Sequence, residues 1–243
     1  MVKGNKEEML KEGLLVVLLA YKEAENLDVL LPQIMDEVGG LGVDYGMLVV
    51  DAATPGDNSE EVCNKYGAKY INQEDPGFGG AFRTAIKYAD RKMFLILDAD
   101  GSHNPKYIPS MYEMFVNDKC DLVIGSRYTK GGKTFDSKSS IVMSKMLNTA
   151  FRVCLGIKAK DISTDFRLYD TEQLKKVSLQ NKNYDVLQEV IFKLQRNNKR
   201  FKIGEVPISF EKRIFGESKR HLIPYIISYI KSLVRLTTMR IRG

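Results

Sequence analysis

The chain has 243 residues, 44% of them apolar and 28% charged, with 37 Lys+Arg against 31 Asp+Glu and a formal net charge of +6. That length carries one large domain, or one domain with an appendage, in an ordinary soluble composition. Three cysteines without paired spacing (Cys63, Cys120, Cys154) exclude a disulfide framework and point to a reducing compartment, and only two histidines (His103, His221) argue against a multi-histidine metal site.

The charged N-terminus (Lys3, Lys6, Glu7, Glu8) reads as no signal peptide. No apolar run reaches the ~18 residues of a spanning helix. In chain order, residues 1–12 read as a polar lead-in. "LLVVLLA" (14–20) reads as a buried strand. Residues 23–38 follow as a helix, acidic at its start, with Leu27, Leu30, Leu31 and Ile34 on one stripe. Strands are expected at 45–52, 68–72, 92–100 and 120–126. Helices are expected at 58–67, 78–90 and 104–117, the third with proline in its first turn. Strands alternating with helices predict an α/β fold with a mostly parallel sheet flanked by helices.

The second half is less regular. A glycine- and lysine-bearing loop covers 131–139, and a helix is expected at 141–156. A short strand follows at 164–170, then a helix at 184–198. Residues 201–213 alternate as a strand, which Pro207 places at an edge or bulge. Residues 221–243 form a basic amphipathic helix, with Ile223, Ile226, Ile227, Ile230 and Val234 at helical spacing. It is expected either to lie on an anionic membrane or to pack on the domain with its basic side solvated.

"FLILDADGSHNP" (94–105) places two acids, Asp98 and Asp100, at the end of a hydrophobic strand. Ligands of open α/β sheets bind at the carboxyl ends of strands, and side chains two apart on an extended segment point the same way. The pair suits one Mg2+ or Mn2+ ion shared with substrate phosphates; the plainer alternative is an N-cap that satisfies loop amides. Other strand ends supply Tyr21, Glu23, Asp51 and Arg127, a ring of acids and one arginine that fits a phosphate–metal site.

The ordered set "AYKEAEN", "LVVDA", "GFGGAFRTA", "LDADGSHNPKYIP", "DLVIGSRYTKGG", "DISTDFRLY", "EVPISF" and "FEKRIFGESK" runs from about residue 14 to 220. It resembles glycosyltransferase family 2, and more narrowly the dolichol-phosphate mannose synthase group of polyprenyl-phosphate glycosyltransferases. The resemblance implies a GT-A, Rossmann-like domain over 13–220 and an inverting, metal-dependent transfer from a nucleotide-diphosphate sugar to a polyprenyl phosphate. Tyr21, Glu23, Asp51, Gly79, Gly80 and Asp98 match nucleotide-sugar-binding positions. Asp98, Asp100 and Ser102 match metal positions. Asp100, Arg127 and Arg213 match catalytic ones. Lys138, Ser144, Arg213, Ser218 and Lys219 match the acceptor-phosphate side, the last three on a loop that closes over the phosphates. The chain departs from the pattern at Ala52, which stands for a second aspartate, and at Asp165, which stands for glycine.

A polyprenyl phosphate needs no general base, because its oxygen is already anionic; it needs cations to position it. A saccharide hydroxyl is the alternative acceptor. A non-catalytic nucleotide-sugar-binding scaffold is the alternative to an enzyme. The glycine segment follows the third strand and lacks the dinucleotide fingerprint, and no phosphate loop of the ATPase type occurs. The basic residues lack the aromatic interleaving of nucleic-acid modules. The expected place of action is the cytoplasmic face of the membrane, with peripheral contact through 221–243.

Overall fold

The computed structural model describes residues 10–215 and 222–242. Its elements, in chain order, are β1 (Lys11–Leu19), α1 (Ala24–Gly39), β2 (Tyr45–Asp51), α2 (Ser59–Lys65), β3 (Lys69–Asn72), α3 (Phe78–Tyr88), β4 (Arg91–Asp98), α4 (Ile108–Asn117), β5 (Leu122–Ser126), β6 (Lys133–Thr134), α5 (Lys138–Leu155), β7 (Arg167–Asp170), α6 (Thr171–Lys175), α7 (Val186–Asn197), β8 (Ile203–Pro207), β9 (Ser209–Phe210) and α8 (Leu222–Ile241). β1 begins at Lys11, so the sheet takes in the end of the expected lead-in.

Seven strands form one sheet in the order β3-β2-β1-β4-β7-β5-β8. All neighbours are parallel except β7, which runs antiparallel to both β4 and β5. The inner strands bury both faces, as continuous apolar runs require. Leu15, Val17, Phe94 and Ile96 enter one core with Phe82 of α3, Phe151 of α5, Val190 of α7 and Tyr229 of α8. Leu14, Val16, Leu95 and Leu97 enter the other with Leu27 of α1, Val62 of α2 and Met111 of α4. Alternate residues of a strand thus face opposite layers.

One expectation is corrected. The strand expected over 201–213 is split. β8 takes the sheet edge, where Pro207 ends it opposite Ser126; β9 leaves the sheet and pairs with β6. Of the two readings offered for the C-terminal helix, packing on the domain is seen for α8. Tyr229 and Leu236 of α8 are buried in the main core, and the Tyr229 ring meets Phe151 edge-on at 5.8 Å. Its basic side is also not simply solvated, since Arg235 reaches the buried Glu189 at 2.9 Å. Among the described residues no helix is long and apolar enough to cross a membrane.

Candidate active site

Strand register gathers the site. Leu19 pairs with Val50 on one side and Asp98 on the other, so β1, β2 and β4 end level. β5, parallel in direction to β4 across the antiparallel β7, delivers Arg127 to the same edge. Because β7 runs the other way, its start is level with the end of β4, where Ile96 pairs with Arg167. This brings residues 161–166 to the carboxyl edge. The mostly parallel pattern read from the sequence gave no reason to expect them there.

Asp98 and Asp100 are not helix caps. The cap of the next helical turn is Asn104, whose side chain accepts from the Lys106 N–H. Gly101, at φ +77°, turns the chain between the acids and Ser102. The positive φ favours glycine, and an added Cβ would lie 2.5 Å from Ile214 Cδ1, which would have to swing away. Asp100 is buried. Its Oδ1 accepts from the Ser102 N–H at 2.9 Å, and its Oδ2 meets Arg213 Nη2 at 2.7 Å. The backbone stitches this loop down: Ile214 N–H donates to the Asp100 carbonyl and Glu211 N–H to the Ser102 carbonyl. Arg213 Nη1 also lies 3.9 Å from Glu23 Oε1. A cationic loop residue therefore stands on the acidic motif, where a divalent ion would compete for the same oxygen. Ser102 itself is buried.

Asp98 joins a second cluster that the sequence reading missed. His103 is fully buried, with Nδ1 3.4 Å from Asp98 Oδ2 and 3.6 Å from Asp165 Oδ1. Burial lowers the pKa of its imidazole below the ordinary 6.5, which favours the neutral ring. The departure at Asp165 was the one sequence signal of this arrangement.

Arg127 follows the end of β5 at this edge. Its guanidinium is buried and grips the fully buried Asp161 through Nε at 2.7 Å and Nη2 at 2.9 Å. Nη2 also donates to Ser163 Oγ at 2.7 Å, and Ser163 Oγ lies 2.9 Å from Ser144 Oγ. Burial alone would raise the Asp161 pKa, but the Arg127 hydrogen bonds outweigh it and hold the carboxyl below its ordinary 3.8. Arg127 therefore builds the serine pair from behind. Lys138 opens α5 as an exposed residue, two turns before Ser144.

On the nucleotide side, Tyr21 is half exposed at the end of β1 and Glu23 accepts from Asn26 Nδ2 at 2.6 Å. Asp51 is fully buried, and both its oxygens are engaged, by the Ala52 N–H at 2.7 Å and the Tyr70 hydroxyl at 2.9 Å. Through the Tyr70 bond it ties β2 to β3. Asp57, overlooked in the sequence, accepts from the N–H groups of Ala24 and Ser59 and so ties the starts of α1 and α2 together. Gly79 and Gly80 lie in the first turn of α3. Both are buried against backbone: a Cβ would sit 2.1 Å from the Asn181 carbonyl oxygen at Gly79 and 1.9 Å from that of Asp75 at Gly80. They let α3 pack closely against these backbone segments. Gly80→Ala should cost roughly 1–3 kcal/mol of stability by overpacking, read as a lower urea midpoint; an unchanged midpoint would contradict the packing role. Ser218 and Lys219 lie outside the described residues.

The family model for glycosyl transferase family 2 matches residues 15–178. The chain belongs to glycosyl transferase family 2. This glycosyltransferase is 31% identical over 233 residues to a dolichol-phosphate mannosyltransferase of Pyrococcus furiosus, covering 91% of this chain and 62% of that longer protein. It is 32% identical over 223 residues to an undecaprenyl-phosphate mannosyltransferase of Micrococcus luteus, covering 84% of this chain and 86% of that one. A glucosyl-3-phosphoglycerate synthase from Mycobacterium tuberculosis, solved with Mn2+, UDP and glucosyl-3-phosphoglycerate, superposes with a TM-score of 0.69 at 16% identity over 93% of this chain and 80% of that one. That likeness establishes the GT-A fold of the family 2 enzyme.

Proposed function

We propose that this family 2 glycosyltransferase moves a sugar, a mannosyl group on the names of its curated relatives, from a nucleoside diphosphate to a polyprenyl phosphate at the cytoplasmic face of a membrane. The observation that carries the reading is the meeting of Asp100 with Arg213 at 2.7 Å, beside Asp98, at the carboxyl edge of the sheet. Acidic groups for a cation and a basic group for phosphate stand together where open α/β sheets bind ligands. The donor set fits Mg2+ or Mn2+: oxygen ligands from Asp98 and Asp100, to be completed by phosphate and water. A divalent ion bound there supplies charge neutralisation for the departing diphosphate.

The chain's own residues do the rest. Arg213, released from Asp100, is within reach of the phosphates that would enter beside it. Glu23, 3.9 Å from Arg213, keeps that guanidinium oriented. On the acceptor side, Arg127 and Asp161 fix the Ser163 hydroxyl beside Ser144, with Lys138 on the same helix as Ser144. The acceptor's phosphate oxygen attacks the anomeric carbon as the bond to the diphosphate breaks, and the chain needs only to align the two.

Two helices support a membrane-bound acceptor. Val142, Met146 and Val153 on α5 and Ile227, Ile230, Val234 and Ile241 on α8 are exposed apolar side chains at helical spacing, interleaved with Lys145, Lys231 and Arg242. A solvent face of a packed helix is ordinarily polar; an apolar one with basic residues suits an anionic lipid surface. Ile230→Glu with Val234→Glu should reduce co-sedimentation with phosphatidylglycerol-containing vesicles by about tenfold or more, since two buried apolar side chains are worth roughly 1.5–3 kcal/mol each. Undiminished sedimentation would remove the membrane from the reading.

The donor is tested by a thermal-shift panel of GDP-, UDP-, CDP- and dTDP-sugars with and without Mn2+. One of them should raise the melting temperature, and more so with metal, because a ligand of the folded state stabilises it by mass action. No shift with any nucleotide would favour a scaffold that has lost its donor site.

A further inference from the structure

The turn at 160–163 carries the acceptor side on two alternate residues. Asp161 grips Arg127 at 2.7 Å, and Ser163 Oγ lies 2.9 Å from Ser144 Oγ. Ile162 stands between them, and side chains from α5, β7, α7 and β8 hold the backbone around it. Asn148 Oδ1 of α5 accepts from the Ile162 N–H at 3.2 Å. The Ile162 carbonyl accepts twice, from Arg167 Nη2 of β7 at 2.9 Å and from Gln188 Nε2 of α7 at 2.7 Å. Just before it, Glu205 of β8 accepts from the N–H groups of Lys160 and Asp161 at 3.0 and 3.1 Å. The Ile162 carbonyl belongs to the same planar peptide as the Ser163 N–H, which donates to Asp161 Oδ1 at 3.3 Å. The tilt of that one peptide therefore sets Asp161 and Ser163 together.

Stability does not account for Gln188. A carbonyl only accepts, so the contact fixes Nε2 as the donor and leaves Oε1 as the other atom of the amide. Oε1 is buried without a hydrogen-bond partner, and so is Arg167 Nε. A buried polar atom left unpaired costs free energy that an apolar side chain of similar shape would not. Nor is the amide needed to satisfy the carbonyl, because Arg167 already does. The fully buried Ile162 side chain holds the residue in place, but it does not by itself fix the tilt of the peptide. What the amide adds is a second hydrogen bond from another element, and two donors fix the direction of a carbonyl.

We propose that Gln188 is a positioning residue for the acceptor phosphate. It orients the 162–163 peptide, and through that peptide Asp161 and Ser163 keep Arg127 and Ser144 in register with the phosphate. The inference rests on the proposed function, since it takes Arg127 and the serine pair as the acceptor side. Gln188 is itself buried on α7 and acts only through the turn.

The test is Gln188→Met in the full chain, a side chain of similar length with no donor. Its urea midpoint should equal or exceed that of wild type. Amide hydrogen exchange at Ile162 and Ser163 should quicken by about three- to tenfold, the loss of one hydrogen bond, while the amides of β4 and β5 keep their rates. With the donor found by the thermal-shift panel and a polyprenyl phosphate in mixed micelles, kcat/KM for the lipid should fall about ten- to a hundredfold, the scale of a small misplacement of reacting groups. The fall should lie chiefly in the KM for the lipid, with the donor KM unchanged. A merely structural glutamine gives the reverse, a lower midpoint with an unchanged KM for the lipid. A lowered midpoint, unchanged exchange at 162–163, or a wild-type KM for the lipid each overturns the inference. Failure of the proposed function looks different: wild type and variant both leave the lipid unlabelled, while exchange at 162–163 still separates them.

Discussion

Asp100→Asn should slow sugar transfer by about 10²- to 10³-fold while the protein stays folded. The expected loss is that of one group that stabilises charge developing on a leaving group, about 2.7–4 kcal/mol of barrier. The substitution is nearly isosteric. The asparagine carbonyl can still accept from the Ser102 N–H, as Asp100 Oδ1 does at 2.9 Å. What changes is the other side. Asp100 Oδ2 meets Arg213 at 2.7 Å, and a neutral amide there neither pairs with the guanidinium nor holds a divalent ion. Arg213 is partly open to solvent, so its lost pairing costs little stability. The check is kcat at saturating donor beside a urea midpoint. Undiminished turnover would move the scaffold reading ahead of the enzyme.

Asp161→Asn should act in the opposite sense, destabilising the fold by about 3–5 kcal/mol, the cost of leaving one partner of a buried ion pair alone. Asp161 is fully buried, and Arg127, its partner at 2.7 Å, is nearly so. Little solvent is available at the guanidinium to replace the carboxylate. The loss should appear as a large drop in the denaturant midpoint with little change in its slope. Converting both partners, Arg127→Met with Asp161→Leu, should recover much of the stability but not the transfer rate, because Ser144 and Ser163 lose their support. The pair also gives acid sensitivity. The native Asp161 pKa is held below 3.8, so the stabilisation is complete above that value and is lost as the pH falls through the lower native pKa. A single variant with the wild-type midpoint would contradict this account of the pair.

The alternation of strands and helices in the first half was legible because each buried strand is a short apolar run closed by a polar or glycine-rich turn, as at 14–20 and 92–100. The acidic pair was legible for the same reason: Asp98 and Asp100 interrupt such a run. The antiparallel β7 was not. Four residues carry no mark of direction, yet its direction decides that Asp161, Ser163 and Asp165 reach the site. The packing role of the α3 glycines was not legible, because a glycine needed for close backbone packing and one needed beside a ligand look alike in sequence. The partner of Asp51 was not legible either. Here the Tyr70 hydroxyl, one strand over, claims it, and pairing across strands is a tertiary fact. For α8, hydrophobic spacing could not divide core from surface. The helix has apolar side chains on both sides, Tyr229 and Leu236 inward, Ile230 and Val234 outward.

The most direct measurement is transfer of radiolabelled sugar from the nucleotide donor found by the thermal-shift panel, with Mn2+, to a polyprenyl phosphate in mixed micelles, followed by organic extraction. The account predicts label in the organic phase as a sugar phospholipid, abolished by a chelator and by Asp100→Asn. Label that stays in the aqueous phase on a glycan acceptor, with none on the lipid, would contradict it.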